Sequence, residues 1–228
     1  MIHGREQTAP RRAGRAAPQL RAQARELYRD AILEAAELVF ARCGFAGTRM
    51  ADVAAEAGLG TGTLYNYFAN RDELLSSLIA RRSEELLASV KAAAESAAGR
   101  PPRDLLVAIV QTSFQHFHTH RALFAVLPAA AGISGKHMAS IASRCLESQR
   151  SYQAVIADAL RPAVEAGHLR ADLSLAVLVG YLTGAVHGVM RAWNAHNGAP
   201  DGVGTEYPLI DQSAEVVDLF LSGASCRS

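Results

Sequence analysis

The stretch EAGLGTGTLYNYFANRDEL, residues 56–74, places Gly58, Gly60 and Gly62 close together and follows them with Tyr65-Asn66-Tyr67. Glycine-rich turns cradle phosphates, because bare backbone N–H groups can close on an anion; they also let a helix lie close against a surface. A dinucleotide loop needs G-x-G-x-x-G directly after a buried strand, with an acid about 20 residues on for the ribose. Here the spacing is G-x-G-x-G, an amphipathic helical pattern precedes it, and no Gly-Lys-Ser/Thr follows. A nucleotide-cofactor enzyme using Gly58–Gly62 is therefore the weaker reading, and no cofactor is expected. The stronger one is a helix built to lie in a groove of duplex DNA.

On a helix over 61–68, Leu64 and Phe68 share an inward stripe, and Gly62 and Asn66 lie opposite, flanked by Thr63, Tyr65 and Tyr67. Glycine permits close approach, asparagine both donates and accepts at a base edge, and the hydroxyls reach phosphates on the groove walls. Two short helices joined through AGLG and preceded by a supporting helix make a helix-turn-helix, whose second helix enters the major groove.

Other residues invite chemistry less strongly. His116 and His120 in FQHFHTH stand four apart on one helical face, a spacing compatible with a metal, a pocket wall or ordinary packing; with no third ligand fixed locally, no metal is assigned. Cys43, Cys145 and Cys226 are odd in number and far apart, so no disulfide framework follows, and Cys43 and Cys145 read as small buried apolar residues. No GxSxG, HExxH or comparable hydrolytic motif occurs. The chain is not expected to be an enzyme.

The elements that must position these groups all read as helices. Half of the 228 residues are apolar, enough for a sizeable core. Seven arginines against three acids make the first thirty residues basic on a body that brings the total to +1, which suits a polyanion at one end. Residues 1–24, with Pro10, Pro18 and no apolar periodicity, read as a flexible arm. Ile32, Leu33, Ala36, Val39 and Phe40 then mark a helix ending at Gly44. Short helices over Arg49–Ala57 and Thr61–Phe68 follow, the first capped by Thr48, and a long one from Arg71 to about Ala98 begins behind Asn70. Further helical runs fall near 103–120, 122–131, 137–166, 172–197 and 208–222. The run LSLAVLVGYLTGAVHGVM, 173–190, is almost free of charge, yet His187 and its glycines suit a buried helix better than a membrane span. With no apolar leader after Met1, the cytoplasm is the expected compartment.

GFAGTRMADVAAEAGLGTGTLYNYFANRDELL resembles the DNA-binding segment of TetR-type transcriptional regulators over residues 26–86. That resemblance implies an all-α protein: a basic arm over 1–25, a helix-turn-helix domain over 26–86, and a helical ligand-binding and dimerisation domain over 87–228. It implies that Thr48 and Arg49 touch phosphate, that Thr61, Gly62, Thr63, Tyr65, Asn66 and Tyr67 line the groove, and that Arg71 clamps a further phosphate. Gly60 stands where the family usually has serine and Thr61 where lysine is frequent. EAGHLRADLSLAVLVGYLTGAVHGVMRAW resembles the segment leading into the family's dimerising helix, with Asp172 as its cap. Gly180, Gly184 and Gly188, with Val217 and Phe220 of the last helix, are then the expected dimer contacts. The family also implies a cavity for a small apolar effector, with Phe114, Phe117, His118, Phe124, Leu127, Met138, Tyr152 and Trp193 as candidate walls. The expected function is a homodimeric repressor released from a palindromic double-stranded operator by that effector. An effector-independent DNA-binding protein is the remaining alternative.

Overall fold

The recurrent apolar residues Ile32, Leu33, Ala36, Val39 and Phe40 form one buried face of α1 (Ala13–Gly47) in the computed structural model, which describes residues 13–121, 123, 135–170, 172–197 and 208–224. Against that face pack α2 (Met50–Glu56) and the start of α4 (Arg71–Ser96), and α3 (Thr61–Tyr65) packs on α2. The chain continues through α5 (Pro102–Thr119), α6 (Gly135–Glu165), α7 (Leu175–Asn197), a 3-10 turn (Leu209–Asp211) and α8 (Gln212–Ala224). The architecture is all-α, with eight α-helices and no strand among the described residues. The expected run at 122–131 lies largely outside them.

Two cores are built. The first joins α1, α2, α3 and the first half of α4 around Phe40, Leu64, Phe68 and Leu78, and Leu123 enters it from beyond α5. The second joins Val90 of α4 to Leu106 and Phe114 of α5, Ile156 and Leu160 of α6, Leu182 of α7 and Val217 of α8. Helix α4 runs unbroken through both, across the boundary expected at residue 86. A displacement of α4 in one core is therefore felt in the other.

Chain ends and corners follow local chemistry. Gly58, at φ 68°, ends α2 in the left-handed region that only glycine enters cheaply, and the turn closes with Leu59 N donating to Ala54 O at 2.8 Å. Asn70 caps α4 reciprocally: Glu73 N donates to Asn70 Oδ1 at 2.8 Å, and Ala69 N to Glu73 Oε2 at 2.7 Å. Two expected caps are corrected. Thr48 does not cap α2, because its hydroxyl donates back to Gly44 O at 2.7 Å and Arg49 occupies the cap position. Asp172 does not cap α7, because Arg170 engages its carboxylate at 3.0 and 2.6 Å; Ser174 Oγ accepts from Val177 N instead.

The arm expected to be flexible over 1–25 is helical from Ala13 onward, although residues 18–28 are exposed. Burial does not hold residues 18–28 in place. Alanine and arginine favour helix intrinsically, and the turns need only propagate from the packed part of α1. Helix α7 is long and apolar enough to cross a membrane by length and composition alone. One of its faces lies in the second core, and the other, carrying the glycine stripe, is open.

Candidate nucleic-acid interface and ligand cavity

Helix α3 is held from beneath and open above. Leu64 and Phe68 are fully buried, and the guanidinium of Arg29 lies 4.5 Å from the Phe68 ring centroid. Helical geometry ends at Tyr65, earlier than the expected Phe68, but Phe68 N still donates to Leu64 O at 3.1 Å, so the inward stripe survives the turn. Thr61, Gly62, Thr63, Tyr65 and Asn66 are all exposed, and a Cβ added at Gly62 would meet nothing within 4 Å. Tyr67 is half-buried, its ring 6.3 Å from that of Tyr28, an aromatic partner that sequence reading did not identify.

Two residues expected to hold phosphate make contacts within the chain. Thr48 is 4% exposed, with its hydroxyl committed to Gly44 O. Arg71 donates to Ala46 O at 2.9 Å and Thr48 O at 3.2 Å, and its guanidinium stacks 4.2 Å from the Phe45 ring centroid. Both brace the corner between α1 and α2, whereas Arg49 at that corner stays exposed.

Between α4, α5, α6 and α7 lies a cavity of about 450 Å³. Of the expected walls, Phe117 and Tyr152 line it. Phe114 is packed in the second core, Trp193 is buried there too, and His118 is exposed with its ring 5.5 Å from that of Trp193. Phe124, Leu127 and the side chain of Met138 lie outside the described residues. Leu86, Leu123, Val186, His187 and Met190 are walls that sequence reading missed; only their helical register, facing Phe117 and Tyr152, could have signalled them. Tyr152 and Ser113 share a buried hydrogen bond at 2.9 Å. Burial raises the Tyr152 phenol above its ordinary value against the opposing effect of that bond, so it stays protonated and able to donate. Cys145, expected to be buried, is exposed, as is Cys43. Cys145 sits at the cavity edge, where partial burial pushes its thiol up and disfavours the reactive thiolate.

One wall of the cavity is linked to α1. Arg82 of α4 reaches Glu37 of α1 at 2.7 Å and Glu85 at 2.8 Å, and His120 Nδ1 lies 2.9 Å from the other Glu37 oxygen. Burial alone would lower the Arg82 guanidinium, but its hydrogen bonds to Glu85 and Glu37 outweigh that and raise it. The His116 ring lies beside that of His120, tilted by 52°, with centroids 4.6 Å apart. Burial, aided by His120, lowers it from 6.5 to about 4, so it is neutral at pH 7. Among the described residues no group of three or more His, Cys, Asp or Glu is placed to hold a metal ion.

The His116 shift has a stability consequence. As pH falls below 6.5 the unfolded chain takes up the proton first, so stability should decline from about pH 6.5 to pH 4 and then level. Allowing for the ring's partial exposure, the loss is on the order of 1–2 kcal/mol. Urea midpoints at pH 7 and pH 4.5 should differ less in His116→Asn than in the parent; an equal difference in both proteins would contradict the assignment.

The open face of α7 is the third feature. Gly180, Gly184 and Gly188 are exposed, with nothing within 4 Å of an added Cβ, so they do not pack inside the protomer. Val177, Tyr181 at 68% exposure and Leu219 at 76% accompany them. Val217 and Phe220, expected at the dimer contact, are instead 0% and 2% exposed in the second core. The expected register of α8 was rotated: the side that looked like an interface is the side the protomer buries.

Comparison with known proteins agrees with this layout. Residues 32–78 match the family described as bacterial regulatory proteins, tetR family. The chain is 27% identical over 99 residues to the uncharacterized HTH-type transcriptional regulator YerO of Bacillus subtilis, an alignment covering 43% of this chain and 34% of that protein, so it spans about a third of that relative's length. It is 26% identical over 156 residues to the HTH-type transcriptional repressor KstR2 of Mycobacterium tuberculosis, covering 68% of this chain and 75% of the relative. Among solved structures, the transcriptional regulator FadR from Bacillus subtilis in complex with stearoyl-CoA superposes with a TM-score of 0.67 at 19% identity, over 85% of this chain and 97% of that one. These relatives are described as transcriptional regulators, not as enzymes.

Proposed function

We propose, for a chain that belongs to the tetR family of bacterial regulatory proteins, that it is a sequence-specific repressor that binds a palindromic operator as a homodimer and releases it when a small molecule fills the α4–α7 cavity. The observation that carries this is the face of α3: Gly62, Thr63, Tyr65 and Asn66 stand free above a stripe, Leu64 and Phe68, that is fully buried. A solvent-facing helix gains nothing from that mixture of a bare position, hydroxyls and one amide, whereas a major groove uses all of it. Arg49 adds phosphate contact beside α3, and the bracing by Arg71 and Thr48 sets its position. Regulators of this family bind operators and effectors and act as dimers, and the exposed stripe on α7 is where two copies of this chain would meet. Two α3 helices about 34 Å apart then read successive major grooves. Such a protein works in the cytoplasm, beside the chromosome.

Release requires an effector that prefers the non-binding conformation; a hundredfold preference is worth about 2.7 kcal/mol. The similar structure of FadR is a complex with stearoyl-CoA, which agrees with a small-molecule effector for this fold. Here the Arg82–Glu37–His120 link is the route from cavity to α1.

Selection of bound duplexes from a random pool should return a two-fold symmetric site. Asn66→Ala should relax preference at one base position, costing about 1–3 kcal/mol there, while Tyr65→Phe weakens binding to all sequences alike. If the wild-type protein enriches no sequence, the assignment of α3 to the groove is wrong.

A further inference from the structure

The cavity is one-sided in charge. Among the described residues its walls carry Arg82, Arg191, His116 and His187, and no aspartate or glutamate. The sequence extends this bias, because no acidic residue occurs between Leu105 and Leu146 or between Leu173 and Pro200, the stretches that supply nearly all of α5, the start of α6 and all of α7. Arg82 is already neutralised by Glu37 and Glu85. Burial holds His116 and His187 below their ordinary values, so neither carries charge at pH 7. Arg191 differs from all three. It is exposed at the cavity edge, one turn beyond His187 on α7, and has no ion-pair partner among the described residues.

We infer that the effector is an amphipathic anion, its carboxylate or phosphate head received by Arg191 at the cavity edge and its apolar body lying inward against Met190, Phe117 and Leu123. This rests on the reading of the cavity as the effector site. A guanidinium fork offers paired donors that match either head group, and at the edge the anion keeps part of its hydration, so the desolvation that makes buried charges costly is avoided. The inner walls reward an apolar body by burial. Leu123 and Ile79 belong to the core beneath the DNA-facing helices as well as to the cavity wall, so a body reaching them presses directly on that packing.

The test uses the full chain without DNA and four probes of one chain length, each below its micelle concentration: dodecanoate, dodecyl phosphate, 1-dodecanol and dodecyltrimethylammonium, titrated calorimetrically. At least one anionic probe should bind about tenfold or more tighter than the alcohol, the cation weakest, and the better anion identifies the head group. Arg191→Gln should bring the anion down to the affinity of the alcohol and leave the alcohol unchanged, which also shows that the variant is folded. Equal affinities for anion and alcohol, an anion preference that survives Arg191→Gln, or no binding of any probe would each overturn the inference. Operator binding by the same preparation is scored separately: a chain that selects anions yet ignores every duplex refutes the regulatory reading and leaves this one standing.

Discussion

Gly184→Arg should leave the protomer folded and lower operator affinity by about 10² to 10⁴-fold, the factor that simultaneous engagement of two half-sites supplies. Gly184 is exposed with open space around its Cβ position, so the substitution creates no clash within one chain, and replacing glycine inside a helix favours that helix by up to about 1 kcal/mol. In the proposed dimer the same side chain would hold two α7 helices apart, because small residues are what let helix backbones approach closely. Tyr181 and Leu219, exposed apolar groups beside the stripe, then remain in water. Sedimentation should report a monomer with an unchanged helical spectrum, and binding to an isolated half-site should match that of the parent. A variant that stays dimeric would remove α7 from the interface.

Phe68→Ala should destabilise the DNA-facing helices by about 3–5 kcal/mol and abolish operator binding at 37 °C. Phe68 is fully buried in the first core, and truncating it leaves a cavity beneath α3 while stripping the aromatic face from the Arg29 guanidinium. The loss should begin locally. Trp193, the sole tryptophan, sits in the second core, so its fluorescence should persist under conditions where helical signal and DNA binding have already declined. A loss below about 1 kcal/mol would mean that the stripe under α3 is not what positions it.

Local sequence is enough to determine the helical class, the order and near-boundaries of most described helices, the turn at Gly58, the cap at Asn70 and the buried pair Leu64 and Phe68 beneath an exposed Asn66. All of these depend on residues a few positions apart, where periodicity and backbone preference are set by the chain itself. The resemblance of residues 26–86 to TetR-type regulators rests on the same short-range signals, and so does the family match.

Tertiary structure decided what long-range partners decide. Arg71 looks available until the carbonyls of Ala46 and Thr48 and the ring of Phe45 fold onto it, and Thr48 until Gly44 takes its hydroxyl. Val217 and Phe220 carry the periodicity of an apolar face, but periodicity does not say whether that face meets its own chain or another copy; packing against α5 and α7 made it the former and left the glycine stripe exposed. The cavity walls come from four helices, and no spacing along the chain brings Leu86, Cys145 and Met190 together. The link from Arg82 through Glu37 to His120 was equally invisible, since a buried charge finds its partner only when separate helices close around it.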